Sequence, residues 1–436
     1  MSSAPAARGP NPEAHSERLL RAIGTFGLAA AIVNITVGGG IFRLPANVAG
    51  SLGAAAFLAY LVCAVSMGLI VVCIADAGSR VSLTGGPYAY IGVALGPYAG
   101  FLSGVLLWML GLFAPAAVAT VLAVSVGQLV AALAPQRTAV IVATFAFWAV
   151  VNLRGVAFAT RLNSTVTVAK LLPLILLAVG APFFVMPQHL TIPVWPSAGD
   201  IARTSLLLIF AFAGIEAALV PSGEVRDPAR TVPRAVALAM IGVTVLYVAL
   251  QVSAQGILGD ALARSSTPLA DTAGAAFGGW ARSVMLLGAA ISMFGNIGGM
   301  ALSMPRVLFA LAGDGYLPQS LFAVHPRYRT PQAAIVVQAA LTAAFAISGT
   351  FERLAILANA AALMLYLGCA VAAWRLRARS PTREPTGVRR LAGAAPFLAV
   401  PVILWLLTGL TKGEWIGLGA AIAAASFVYI VVRLRR

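Results

Sequence analysis

The chain has 436 residues, of which 60% are hydrophobic and only 10% charged, and its mean hydropathy is +0.94. Soluble domains carry about 25% charged residues, so this balance excludes one and points to a polytopic membrane protein. The net charge of +16 suggests a nucleic-acid partner only until the charges are located, because most basic residues lie between apolar stretches.

Residues 1–18 are polar and rich in Pro and Ala. They read as a disordered cytoplasmic tail with no cleavable signal, ahead of a single membrane domain over 19–436. Twelve apolar segments follow, at 22–50, 53–79, 96–130, 138–153, 163–186, 203–221, 232–257, 281–311, 332–349, 352–374, 392–410 and 414–432. With the N-terminus in the cytoplasm, twenty of the 29 Lys and Arg fall on the cytoplasmic side and six outside, while Arg43, Lys170 and Arg306 lie within spans. This bias predicts that both termini are cytoplasmic. It assigns the basic charge to an anionic lipid leaflet and not to nucleic acid. Trp148, Trp195, Trp280, Trp374 and Trp415 fall near span ends, where interface anchors are expected.

Span one contains Gly38, Gly39 and Gly40 in succession, and span six holds Gly214 and the ionisable Glu216. Glycine costs about 1 kcal/mol against alanine inside a helix, so both spans are expected to unwind there. Unwound backbone at membrane depth is tolerated where it is buried or lines a cavity. Broken spans at matching places in two halves point to the binding site of a secondary transporter. Five spans per half invert the second half relative to the first, which predicts repeats over about 22–186 and 203–374, with extra helices over 392–432. Residues 268–279 are expected to form a short extracellular helix over the mouth, and residues 375–391 a cytoplasmic linker.

Four motifs carry a family resemblance: GGGIFRLPANVAG in span one, ADAGSRVSLTGGPYAYIGVALGPYAGFLSG after span two, FAFAGIEAALVPSGEVRDPARTVPRA through span six and PRVLFALAGDGYLPQSLFAVHPRYRTPQAA after span eight. In this order they resemble the amino acid–polyamine–organocation permease superfamily, and FRLPANVA and GIEAALVPSG are most similar to its bacterial basic amino acid and polyamine exchangers. The resemblance implies an all-α fold of twelve transmembrane helices, a five-plus-five inverted repeat of the LeuT type plus two C-terminal helices. It also implies an amino acid or related amine as substrate and the occurrence of homodimers.

An amino acid zwitterion needs donors for its carboxylate and acceptors for its ammonium. Amides around Gly38, Gly39 and Gly40, at the start of a half-helix, supply the first. Carbonyls freed at Thr36, Val37, Phe212 and Ala213, beside Gly214, supply the second. The competing role for the glycines is close packing against a neighbouring helix. Asn34, Asn296 and Met300 are further candidate walls. By resemblance, Phe210 covers the ligand from outside, and Met300 stands where arginine exchangers carry a tryptophan, which favours a neutral side chain. Arg43 departs from the resembled motif and is a candidate outer gate or anion attractor, as Tyr366 is a candidate closure in span ten.

Intramembrane charges are functional candidates by default. Lys170 in span five is expected to carry proton coupling, since in some members a lysine there replaces a sodium ion. Snorkelling to the cytoplasmic face is its alternative. Glu216 is a candidate proton sensor, or a partner for freed amides. Asp76, Arg80, Glu224, Arg226, Asp227 and Arg306 gather near cytoplasmic span ends as a candidate inner gate.

The three histidines, His15, His189 and His325, lie outside the spans and none neighbours Cys63, Cys73 or Cys369, so neither catalysis nor a metal site is expected. No P-loop is present, which disfavours drive by ATP. The expectation is a secondary transporter in a bacterial-type cytoplasmic membrane, without a cofactor. It uses protons in preference to sodium to take up a neutral amino acid by alternating access. The alternative is an amino acid/amine antiporter of the arginine/agmatine type.

Overall fold

The computed structural model describes residues 24–81, 87–154, 171–214, 228–326, 328, 330–379 and 386–434. These are helical almost throughout, with no strand among them. The first apolar segment forms α1 (Thr25–Thr36) and α2 (Leu44–Leu52), with a tight 3-10 turn Gly39–Phe42 between them. Then follow α3 (Phe57–Arg80), α4 (Pro87–Leu95), α5 (Pro97–Leu129), α6 (Arg137–Leu153), α7 (Leu171–Gly180) and α8 (Ala198–Phe212). The second half continues with α9 (Pro228–Leu258), α10 (Pro268–Phe277), α11 (Gly279–Ser303), α12 (Pro305–Gly313), α13 (Gln332–Ser348) and α14 (Phe351–Arg379). Last come α15 (Thr386–Leu407) and α16 (Lys412–Leu434).

Among the described residues seven helical stretches are long and apolar enough to cross a membrane, and Leu171–Phe184, Gln332–Ser348 and Ala392–Leu407 are shorter apolar helices. The chain is therefore an all-α polytopic membrane protein. Its centre is the pair α5 and α14, the most enclosed of the long helices, which pack along each other. The turn Gly39–Phe42 touches α5 and α8 packs on α14, while α11 packs on α5, α3 on α14, and α9 on α1 and α3. Helix α16 touches the bundle chiefly through α5, and Ile416, Phe427, Ile430 and Leu434 stay exposed on it. Such a surface is stable where the surrounding solvent is lipid.

Helix ends follow from local chemistry. Ser197 and Asp200 form a reciprocal capping box, which starts α8 five residues before the apolar segment predicted at 203. The segment predicted as 163–186 becomes α7 followed by a 3-10 turn Ala181–Phe184, with 163–170 outside the described residues. The predicted linker 375–391 is corrected: α14 runs on to Arg379 and α15 begins at Thr386, because Leu376 is buried and Arg377 has a buried acidic partner. The predicted helix over the mouth forms as α10. The tail 1–18 lies outside the described residues.

Trp148 also needs correction. It is fully buried, its indole N–H donates to the Phe294 carbonyl at 3.0 Å, and its ring lies where a Cβ on Gly298 would stand, 2.3 Å away. It locks α6 onto α11 instead of anchoring at an interface. Trp195, Trp280, Trp374 and Trp415 are exposed, as anchors require.

Candidate functional site

Span one unwinds where its glycines predict. Thr36 is the last residue of α1, and Val37 and Gly38 leave helical geometry before the turn at Gly39. The first amides of any such turn lack partners within it. Span six breaks just after Phe212: Ala213 is extended and Gly214 has φ +107°, a conformation that favours glycine. Glu216 lies outside the described residues, as do Lys170, Glu224, Arg226, Asp227 and the Asn34 side chain.

The two breaks meet. A Cβ on Gly40 would stand 3.0 Å from the Phe210 ring and 3.2 Å from the Ala211 Cα. One on Gly38 would stand 2.9 Å from Asn296 Nδ2, and one on Gly39 2.7 Å from Val118. The glycines thus admit close packing by α8, α11 and α5 at the same positions where the backbone opens. Close packing and unwinding, set against each other on sequence grounds, coexist here.

Tyr247, in the middle of α9, joins the breaks chemically. Its hydroxyl lies 3.2 Å from the Thr36 carbonyl and 3.0 Å from the Ala211 carbonyl, and its one proton serves either acceptor. The Thr36 carbonyl also accepts from the Gly38 amide at 2.8 Å, so it is engaged and not left free for a ligand. Phe212 is buried edge-on against Tyr247 at 5.3 Å. The Thr36 hydroxyl is buried with no partner among the described residues. Sequence reasoning passed over Tyr247, yet a tyrosine in mid-span must pair its hydroxyl at membrane depth, and that was the available signal.

The end of the bundle that carries α10 holds an open cavity of about 220 Å³, lined by Arg43, Thr120, Arg137, Phe351 and Glu352 among others. Arg43 donates to the Ser265 carbonyl at 2.6 Å and reaches Glu352 at 3.5 Å, while Asn47 donates to the same carboxylate at 3.0 Å. The floor is Phe351, whose ring meets that of Phe210 edge-on at 5.6 Å. Because Phe210 rests on Gly40, this aromatic pair stands between the cavity and the breaks. Phe351, Val118 and Met293, which also touches the Gly39 position, were not among the sequence candidates.

Two candidates lie elsewhere. Tyr366 is fully buried in α14, fourteen residues beyond Glu352. That is about 21 Å along the helix, so it belongs to a different level from the Arg43 cluster. Met300 borders a separate cavity of about 10 Å³ between α5, α6, α11 and α13, beside Asn152, whose buried amide has no partner. Asn296, one turn earlier, is the residue of α11 that reaches the first break.

At the opposite end Asp76 accepts from Arg80 at 2.9 Å and from Arg377 at 3.1 Å, with Asp76 and Arg80 almost wholly buried. This ties α3 to the end of α14. Tyr88 donates to Asp314 at 2.8 Å, and burial raises its phenol further above the ordinary value, so it remains a donor. Arg306 lies on α12 and joins none of the ion pairs formed among the described residues. No group of three or more potential metal ligands occurs among the described residues.

A family model described as amino acid permease matches residues 23–433. The chain is similar to a branched-chain amino acid permease of Bacillus subtilis, 25% identical over 90% of this chain and 92% of the relative. It is 27% identical to a serine/threonine exchanger of the same organism over 96% and 98% of the two chains. A methylthioribose transporter of that organism is 24% identical over 96% and 95%.

Proposed function

This chain belongs to the amino acid permease family, and from that premise we propose that it takes up a neutral amino acid by alternating access, coupled to protons. It is a transporter and not an enzyme, embedded in a membrane and acting on a small solute. The observation that carries the proposal is the meeting of two broken helices under a shared tyrosine, with Gly38, Gly39 and Gly40 facing Phe210, Ala211 and Asn296. Such a junction offers amide donors and carbonyl acceptors to a zwitterion without a fixed charge. In this assignment Val37, Phe212, Ala213 and Gly214 contribute backbone, Phe210 and Phe351 cover the solute, and Arg43 with Glu352 forms the outer gate. Tyr366 and Met300 have supporting parts at other levels.

Packing supports the inverted repeat. Exchanging spans one to four with six to nine carries the α1–α9 contact onto the α8–α3 contact, and it carries α3–α9, α5–α11 and α6–α13 onto themselves. The remaining parts of the proposal are twelve spans with both termini cytoplasmic, Lys170 and Glu216 as proton-handling groups, and no cofactor. A homodimer in the cytoplasmic membrane completes it. Neutral selectivity is favoured by two relatives named for neutral amino acids.

The exchanger relative supports a second mode, antiport of one amino acid for another. Reconstituted vesicles separate the two. Proton symport predicts uptake of labelled neutral amino acid into empty vesicles under an inward proton gradient, abolished by a protonophore and by Lys170→Ala. Antiport predicts uptake only into vesicles preloaded with unlabelled solute, whatever the gradient.

A further inference from the structure

The cavity at the α10 end is unbalanced in charge. Two guanidinium groups, Arg43 and Arg137, face one carboxylate, Glu352. Glu352 is already shared between Arg43 and Asn47. Arg137 instead donates from one nitrogen to the Ala346 and Gly349 carbonyls, at 3.2 and 3.0 Å, and pairs with no acidic side chain among the described residues. The acidic residue on nearby α10, Asp271, is taken up by Arg282 at 3.0 Å and by Ser265. A net positive lining repels solutes of net positive charge, and at close range it attracts the carboxylate of a zwitterion. A guanidinium is also the side chain best matched to a carboxylate, which it holds through two parallel bonds.

We propose that this cavity is an outer docking station in which Arg137 holds the carboxylate of an incoming amino acid before Phe210 and Phe351 part. Its charge selects neutral and anionic solutes against cationic amino acids and diamines. The proposal rests on the transport reading above and on this end facing outward. Arg137 is a specificity-determining residue here, and Thr120 and Thr350 complete a wall that carries no further charge.

The test is initial-rate uptake by the full chain in vesicles, with labelled L-leucine and L-serine as neutral probes, L-arginine and agmatine as cationic ones and L-glutamate as the anionic one. Arg137→Gln is expected to raise the KM of the transported neutral probe about tenfold at low salt, with kcat changed less than about twofold. The difference shrinks at 0.5 M salt, where screening reaches only a few ångströms. Arg137→Lys, which keeps the charge, is expected to retain most of the wild-type KM, and Arg137→Glu to let L-arginine compete. A merely structural role for Arg137 would lower folded yield without creating salt dependence. If Arg137→Gln does not fold, the wild-type KM must itself rise with salt. A salt-independent wild-type KM, an unchanged KM in Arg137→Gln, or L-arginine competing as well as L-leucine in the wild type overturns the proposal and leaves the transport reading intact. No saturable uptake of any probe overturns that reading and the proposal with it.

Discussion

Tyr247 and Gly40 show how single atoms hold this site. The Tyr247 hydroxyl lies between the carbonyls of Thr36 and Ala211, and since the Thr36 carbonyl keeps the Gly38 amide, Tyr247→Phe leaves the Ala211 carbonyl without this donor. The expected cost is about 1–2 kcal/mol of stability, and the uptake rate should fall more than the affinity, because the hydroxyl couples two elements and need not touch solute. Thermal unfolding and initial-rate uptake measure the two effects. At Gly40 even one methyl presses on the Phe210 ring and on the Ala211 backbone. Gly40→Ala is expected to destabilise by about 1–3 kcal/mol through overpacking and to weaken stabilisation by added solute. A leucine there disrupts packing outright, so the smaller substitution is the informative one. The importance of Gly38, Gly39 and Gly40 was legible in the sequence because three successive glycines have no place in an intact helix. The residues facing them, Val118, Met293 and Phe351, were not, because nothing local to an apolar position records which helix lies opposite.

Elements obey the same division. Helix positions were legible from long apolar runs, and each predicted segment contains helix. Their ends were less so: α14 extends to Arg379 because a distant carboxylate, Asp76, accepts from Arg377. Trp148 was misread as an interface anchor because only the fold puts Gly298 against its ring. The Asp76 cluster joins α3 to α14 through Arg377, which was not among the candidates for the inner gate. Asp76→Asn removes the charge facing two guanidinium groups, and breaking such a buried pair costs about 3–5 kcal/mol. The prediction is a large drop in unfolding temperature in detergent, with Arg377→Ala smaller because that side chain is partly exposed. Equal and negligible effects of both changes would remove the cluster from any part in holding α3 to α14.

Across the molecule, α5 and α14 form a fixed centre while two discontinuous segments lie beside it under one tyrosine. In the proposed function, alternating access opens the aromatic pair Phe210–Phe351 and the Asp76 cluster in turn. The proposed proton coupling was only partly legible, because Lys170 and Glu216 are identifiable as ionisable residues in predicted spans while a proton leaves no signature in sequence. The central claim is that solute binds where the two breaks meet. The most direct measurement is the thermal shift of purified protein with each of the common amino acids, taken in parallel on wild type and Gly40→Ala. A ligand that binds only the folded state raises stability by about 2.7 kcal/mol at a hundred times its Kd. The account predicts that one or more neutral amino acids raise the unfolding temperature of the wild type and lose most of that effect in Gly40→Ala. An equal shift in both proteins would contradict it and put the binding site elsewhere.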